Sequence, residues 1–193
     1  MYYNGSMSDF KIQTVDETYP YREQLIDLYL SAFPKEERKP YEVMEEMGKD
    51  GRMLLWAIED ECGPCALAFF IPGEDVVILD YLAVHPGKRG QNIGSWVMNR
   101  ILHSFDKPVL VEIESTLADP SPVKVRRKNF YLRNGLRPNP YEISLAGVPM
   151  ETLSTGPVAY DQYFDTLYSS LTGWLQNRAR GIVRKLRDLP EFD

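Results

Sequence analysis

Three groups of residues in this chain of 193 have types and spacings that can do chemistry. The first is the turn R-G-Q-N-I-G-S, Arg89, Gly90, Gln91, Asn92, Ile93, Gly94 and Ser95. It follows the apolar run Val76 to Val84 and precedes Val97, Met98, Ile101, Leu102 and Phe105, which fall at helical spacing. A glycine-rich turn that opens a helix leaves several backbone N–H groups pointing one way. With the positive end of the helix dipole they form an anion site suited to a pyrophosphate. The second group is a set of carboxylates in apolar strands: Asp80 in V-V-I-L-D-Y-L-A-V, and Glu112 and Glu114 in V-L-V-E-I-E. A charge in such a run needs a reason, either an arginine partner or a proton to take. The third is C-G-P-C, Cys62 to Cys65, which has the letters of a dithiol redox motif.

The elements that must position these residues can be read in order. Phe10 to Val15 alternates as an edge-type strand. Tyr21 to Phe33 reads as a helix, and Pro34 to Pro40 breaks it. Tyr41 to Met47 is a second short helix. Met53 to Glu59 and Ala66 to Ile71 are strands, so Gly63-Pro64 reads as the bend of a hairpin rather than the start of a helix. Without a helix dipole to lower a thiol pKa, the redox reading of C-G-P-C loses its support. Val76 to Val84 is a fourth strand, buried on both faces, and His85-Pro86-Gly87 ends it. Pro108 to Glu114 is a fifth strand, joined to the fourth through one helix and hence parallel to it. Alternation puts Glu112 and Glu114 on one face. Val123 to Asn134 is a basic helix capped by Asn134-Gly135. Two more strands lie around Tyr141 to Leu145 and Met150 to Leu153. Tyr160 to Leu171 and Trp174 to Leu189 read as C-terminal helices, the latter with an apolar stripe ringed by arginines.

Composition excludes several function classes. A net charge of −6 argues against nucleic acid as a partner. No apolar run is long enough to span a bilayer, and the N-terminus lacks the pattern of a secretory signal, so a cytoplasmic protein is expected. Two cysteines and two scattered histidines do not make a zinc site, so no metal is expected.

The turn, with the preceding L-A-V-H-P and the downstream F-Y-L-R-N-G-L, resembles the acyl-CoA signature of the GCN5-related N-acetyltransferase (GNAT) superfamily. Arg89 and Gly94 match its pattern, while Asn92 stands where its first glycine usually sits. Asparagine is the residue after glycine that best accepts a left-handed backbone. The resemblance covers about Phe10 to Leu153. It implies an α/β (α+β) fold with a mixed sheet of about seven strands, the fourth and fifth splayed, plus C-terminal helices. The domain is expected over residues 8–158, with a helical extension over 159–193.

Further expectations follow from the same resemblance. Acetyl-CoA is the co-substrate. Its pantetheine arm runs along Leu82, Ala83 and Val84, and its pyrophosphate lies on the amides of Gly90 to Ser95 beside Arg89. Tyr131 matches the tyrosine that gives a proton to the leaving sulfur. Glu112 resembles the base of ribosomal-protein N-terminal acetyltransferases, with Asp80 as its competitor. Phe33, in the loop between the first two helices, with Asp80 and Glu114, is expected to bind the acceptor. Acidic groups there favour a cationic ligand, so the expected enzyme is an N-acetyltransferase acting on a primary amine, small molecule or peptide. The alternative is a non-catalytic acyl-CoA-binding or regulatory protein on the same fold.

Overall fold

The computed structural model describes residues 10–117, 119–171 and 183–190. They fall into two compact units, one reaching to Phe70 and resuming over Asp80–Ile101, the other made of Ile71–Leu79 and the chain from Leu102 onward.

The first unit carries strand β1 (Lys11–Thr14), helices α1 (Arg22–Ala32) and α2 (Tyr41–Lys49), strand β2 (Leu54–Asp60) and most of β3 (Gly63–Pro72). The later half of β4 (Val77–Val84) and helix α3 (Ile93–Leu102) follow. Helix α1 buries Leu25, Leu28 and Tyr29 at the i, i+3, i+4 spacing of one face, and Pro34 prevents its continuation. Helix α2 starts directly after Pro40 and buries Tyr41, Met44 and Met47. Tyr29 meets Tyr81 edge-on at 5.0 Å and Phe69 at 6.0 Å, which ties α1 to β3 and β4 through aromatic contacts. Every residue of β3 from Cys65 to Ile71 is buried, as expected of a strand covered on both faces.

The hairpin joining β2 and β3 turns at Glu61 and Cys62, not at Gly63-Pro64, which already lie in β3. A bulge between Ile58 and Glu59 shifts the register and moves the bend toward the chain's start. No helix follows Cys65.

The second unit contains the beginning of β4, strand β5 (Val109–Glu114), helix α4 (Pro122–Arg133), strands β6 (Arg137–Leu145) and β7 (Val148–Ser154), helix α5 (Tyr160–Ser170) and strand β8 (Val183–Asp188). The expected parallel pairing of β4 and β5 is present, at Val77↔Val109 and Ile78↔Leu110. The β6–β7 hairpin turns through Ala146 and Gly147, both with positive φ, 51° and 89°, the combination of a type I′ turn. Helix α4 ends as anticipated: Gly135 has φ 96°, its N–H bonds Leu132 O at 3.1 Å, and the N–H of Leu136 bonds Tyr131 O at 3.2 Å. These are the two bonds of a Schellman cap.

Taken along their hydrogen bonds the described strands run β1-β2-β3-β4-β5-β7-β6-β8, a mixed sheet of eight, in keeping with the expected sheet of about seven. The eighth corrects the reading of Trp174 to Leu189 as a helix. Its last part is β8, which pairs antiparallel with β6 from Leu145↔Val183 to Tyr141↔Asp188. Trp174 to Ile182 lie outside the described residues. The open edge of β6 offers backbone partners that outweigh a helical apolar stripe whose burial in this segment amounts to Val183 alone. Among the described residues no helix is long and apolar enough to cross a membrane, and no cluster of histidine, cysteine and carboxylate residues could hold a metal ion.

Candidate active site

In the first unit, β4 runs through Leu82, Ala83 and Val84 into a turn that its own side chains build. The His85 N–H bonds Cys65 O at 2.8 Å, and the His85 Nδ1 accepts the Gly87 N–H at 3.2 Å. A short 3-10 turn, Pro86–Lys88, follows. Arg89 folds back so that Nε donates to Val84 O at 3.2 Å. This exposed arginine therefore ties the end of the strand to the turn. Gly90 has φ 79° and Asn92 φ 62°. Both occupy the left-handed region, so asparagine does take the backbone of the glycine whose place it holds.

Helix α3 then opens under Asn92, whose carbonyl receives the first helical bond, from Trp96 N–H at 3.0 Å. The amides of Ile93, Gly94 and Ser95 precede that bond and have no partner within the helix. The Ile93 side chain is 2% exposed and anchors the turn to the core. Nothing lies within 4 Å of where a Cβ on Gly90 would stand. The turn thus presents amide donors at an uncluttered surface, which suits a phosphate group.

Phe33 and Asp80 also belong to the first unit, and here the structure is specific about their neighbours. Both Asp80 oxygens receive Lys39 Nζ, at 2.7 and 2.9 Å, and the Asp80 side chain is only 9% exposed. The Tyr81 hydroxyl donates to Glu37 O at 2.8 Å and accepts the Lys39 N–H at 3.1 Å. The Phe33 ring packs edge-on against Tyr81 at 4.9 Å. The loop from Phe33 to Lys39 is therefore stitched to β4, and Asp80 is the anionic end of that stitch. At the end of β2, Asp60 meets Lys88 Nζ at 2.6 Å. Burial pushes the Asp60 carboxyl up, but the Lys88 ammonium and the Cys62 N–H outweigh it and hold it below the ordinary range.

In the second unit, Glu112 and Glu114 leave β5 toward different helices. Glu114 meets Lys124 at 3.4 Å and Arg127 at 3.2 Å, both on α4. Glu112 accepts a hydrogen bond from the Tyr163 hydroxyl on α5. Tyr163 is fully buried, and burial with the adjacent carboxylate raises its phenol well above the usual range. Tyr131 sits in the last turns of α4, half-buried, with the Phe130 ring 5.1 Å away. Burial pushes its hydroxyl up to about 12, against a smaller downward pull from Arg127. It is protonated across the neutral range and can give a proton but not take one.

Sequence reasoning missed two participants. Tyr163 lay in an aromatic-rich helix read only as such, with no periodic signal to single out one ring. Lys39 lay in a loop of mixed charge that selected nothing. Both are disclosed by the partner across the fold, which spacing along the chain does not encode.

Comparison with known proteins puts these features in context. The family model of the acetyltransferase (GNAT) family matches residues 22–133, more than half of the chain. Comparison with curated proteins returns no match. Among solved structures, a GNAT-family protein from Bacteroides thetaiotaomicron aligns with a TM-score of 0.68 at 18% identity, covering 81% of this chain and 93% of that one. A GNAT acetyltransferase from Elizabethkingia anophelis, solved with acetyl-CoA bound, aligns with a TM-score of 0.57 at 14% identity, covering 76% and 97%. The ribosomal-protein-S18-alanine N-acetyltransferase from Escherichia coli aligns with a TM-score of 0.57 at 13% identity, covering 78% and 96%. At these identities the structural likeness speaks for the fold, and the family match over helix, strand and turn speaks for descent. The chain belongs to the acetyltransferase (GNAT) family.

Proposed function

We propose that this protein is an acetyl-CoA-dependent N-acetyltransferase whose acceptor is a primary amine, free or at a peptide N-terminus or lysine. The observation that carries the first half is the turn with left-handed Gly90 and Asn92 ahead of the amides of Ile93 to Ser95, which have no partner within the helix. It is a cradle that fits a pyrophosphate, and the solved relatives with acetyl-CoA or CoA bound support the same ligand. The backbone of Leu82, Ala83 and Val84 is assigned to the pantetheine arm. Arg89, held on Val84 O, shapes the cradle and adds charge beside it.

When bound, acetyl-CoA supplies an acetyl group activated as a thioester. The chain's own residues supply the proton traffic. An amine must lose a proton to become a nucleophile, because a free alkylammonium has a pKa of about 10. Glu112 is assigned that proton, directly or through a water. As the nitrogen–carbon bond forms and the carbon–sulfur bond breaks, the Tyr131 hydroxyl gives a proton to the sulfur. Asp80 and Glu114 already carry cations, so their share in attracting the acceptor is reduced to the field they leave after pairing. Phe33 is assigned to the acceptor's apolar part.

The test is release of free thiol from acetyl-CoA in the presence of primary amines, peptides with free N-termini, alcohols and carboxylate-bearing amines. Turnover with the first two classes is expected. Turnover only with alcohols or anionic acceptors would overturn the amine assignment. CoA binding with no transfer to any class would favour the binding-only reading.

A further inference from the structure

Helix α5 follows the last strand of the hairpin and is held down by a buried polar network. Asn139 Nδ2 donates to Thr152 Oγ1 at 3.2 Å, and Asn139 Oδ1 receives Ser154 Oγ at 2.9 Å and the Val158 N–H at 3.4 Å. Ser154 Oγ also reaches Gly156 O at 2.6 Å. Asn139, Thr152, Ser154 and Val158 are all at most 4% exposed. A buried polar network of this kind specifies one arrangement, because any other leaves several donors unpaired. The arrangement it specifies brings α5 over β5 and seats Tyr163 against Glu112.

Glu114 faces Lys124 and Arg127, Glu142 faces Arg187, and Glu151 faces Lys128. Glu112 faces the phenol of Tyr163 from α5, with Thr152 beside it on β7. The phenols of Tyr141 from β6 and Tyr160 from α5 lie close to Tyr163, and Tyr160 meets Tyr141 edge-on at 5.8 Å. A phenol that donates to a carboxylate orients it and favours its ionised form.

We infer that Tyr163 is a positioning residue that holds Glu112 ionised and oriented on β5, which makes α5 a working part of the site. The inference rests on the reading of Glu112 as base, and it carries a consequence of its own. Without the hydroxyl, a half-buried carboxylate loses a donor to its charged form, so it protonates more easily. A residue that merely filled space would not move that titration.

The experiment uses the full chain with isotope-labelled glutamate and follows the Glu112 carboxyl carbon by NMR as pH is varied. In Tyr163→Phe the Glu112 pKa is expected to rise by about one unit. With acetyl-CoA and an active primary amine, the acid limb of the rate profile is expected to move to higher pH by the same interval. The reciprocal variant, Glu112→Gln, keeps every ring in place and serves if Tyr163→Phe folds poorly. There the Tyr163 phenol, followed by its own ring carbon, is expected to titrate at lower pH, because the neighbouring charge is gone. An unmoved Glu112 titration in folded Tyr163→Phe, or an unmoved Tyr163 titration in Glu112→Gln, overturns the inference. Moved titrations with undiminished turnover in Glu112→Gln would keep the pairing and remove Glu112 as the base.

Discussion

The Lys39 ammonium grips both oxygens of Asp80, at 2.7 and 2.9 Å, while its Nζ also lies over the Tyr81 ring, 5.2 Å from the ring centre. Asp80 is thereby committed to an ion pair within its own fold. Its work is to fasten the loop after α1. Lys39→Ala is expected to leave Asp80 buried and unpaired at 9% exposure and to destabilise the protein by about 3 kcal/mol, as removing one partner of a buried pair does. Denaturant unfolding of the variant measures this. Asp80→Asn, which removes the charge along with the pairing, should cost less, and the opposite ranking would refute the assignment.

The cradle proposed for the phosphates is built on left-handed backbone at Gly90 and Asn92. Asn92→Gly is expected to preserve CoA affinity, and Asn92→Val, which resists positive φ, to lower it by roughly tenfold. Gly94→Val should lower it further by crowding the amides at the start of α3. Calorimetry with CoA on folded variants reads all three, and equal affinities throughout would remove the turn from the ligand site.

Tyr131→Phe removes the hydroxyl and keeps the ring. CoA binding should persist and turnover fall about 10²-fold. Because burial holds the phenol up near 12, the parent enzyme should show no alkaline loss of rate from Tyr131 below about pH 11. Equal turnover in the two proteins would reduce Tyr131 to packing.

Glu112→Gln should lower the rate most near neutral pH and less as pH rises, since more of the amine is then already neutral. Parent and variant are compared with one acceptor over one pH range. Parallel profiles would show that the proton goes elsewhere.

Glu151, with its side chain 3% exposed, is held by Lys128 and by the Thr116 N–H and hydroxyl, both at 2.7 Å. Burial pushes its carboxyl up, but these partners outweigh it and leave the pKa below the ordinary range. A lowered folded pKa contributes stability that is present above the unfolded pKa and is lost as pH falls through the folded one. Glu151→Gln is therefore expected to destabilise by about 2 kcal/mol near neutral pH and by less in acid. Thermal unfolding at the two conditions checks the narrowing; a constant difference would contradict it.

Cys62 is exposed, whereas Cys65 is buried and its thiol is pushed up to about 12 by that burial, with the Asp60 charge adding to it. One thiol is expected to react with a water-soluble disulfide reagent in the native protein and two in denaturant. Rapid native reaction of both would reopen a redox role for C-G-P-C.

Much of the fold was legible because its signals are local. Helix α1 and helix α4 announce themselves through apolar spacing, prolines and the Asn134-Gly135 cap, each acting within one or two turns of chain. The strand, turn and helix from Val76 to Leu102 were readable for the same reason: glycine and asparagine mark left-handed positions wherever they stand. So was the parallel pairing of β4 with β5, since one intervening helix demands it.

What the sequence by itself determined is thus most of the elements, the family they belong to and the turn between β4 and α3. Only the tertiary structure decided what each charge does. Asp80, Glu112 and Glu114 look alike as acidic letters in strands, yet one is gripped by Lys39, one receives the Tyr163 phenol and one meets the cations of α4. The segment at Val183–Asp188 became a strand because β6 had an open edge to pair with. In each case the deciding partner lies far away along the chain, and the free energy of that contact exceeds any local preference of the residue itself.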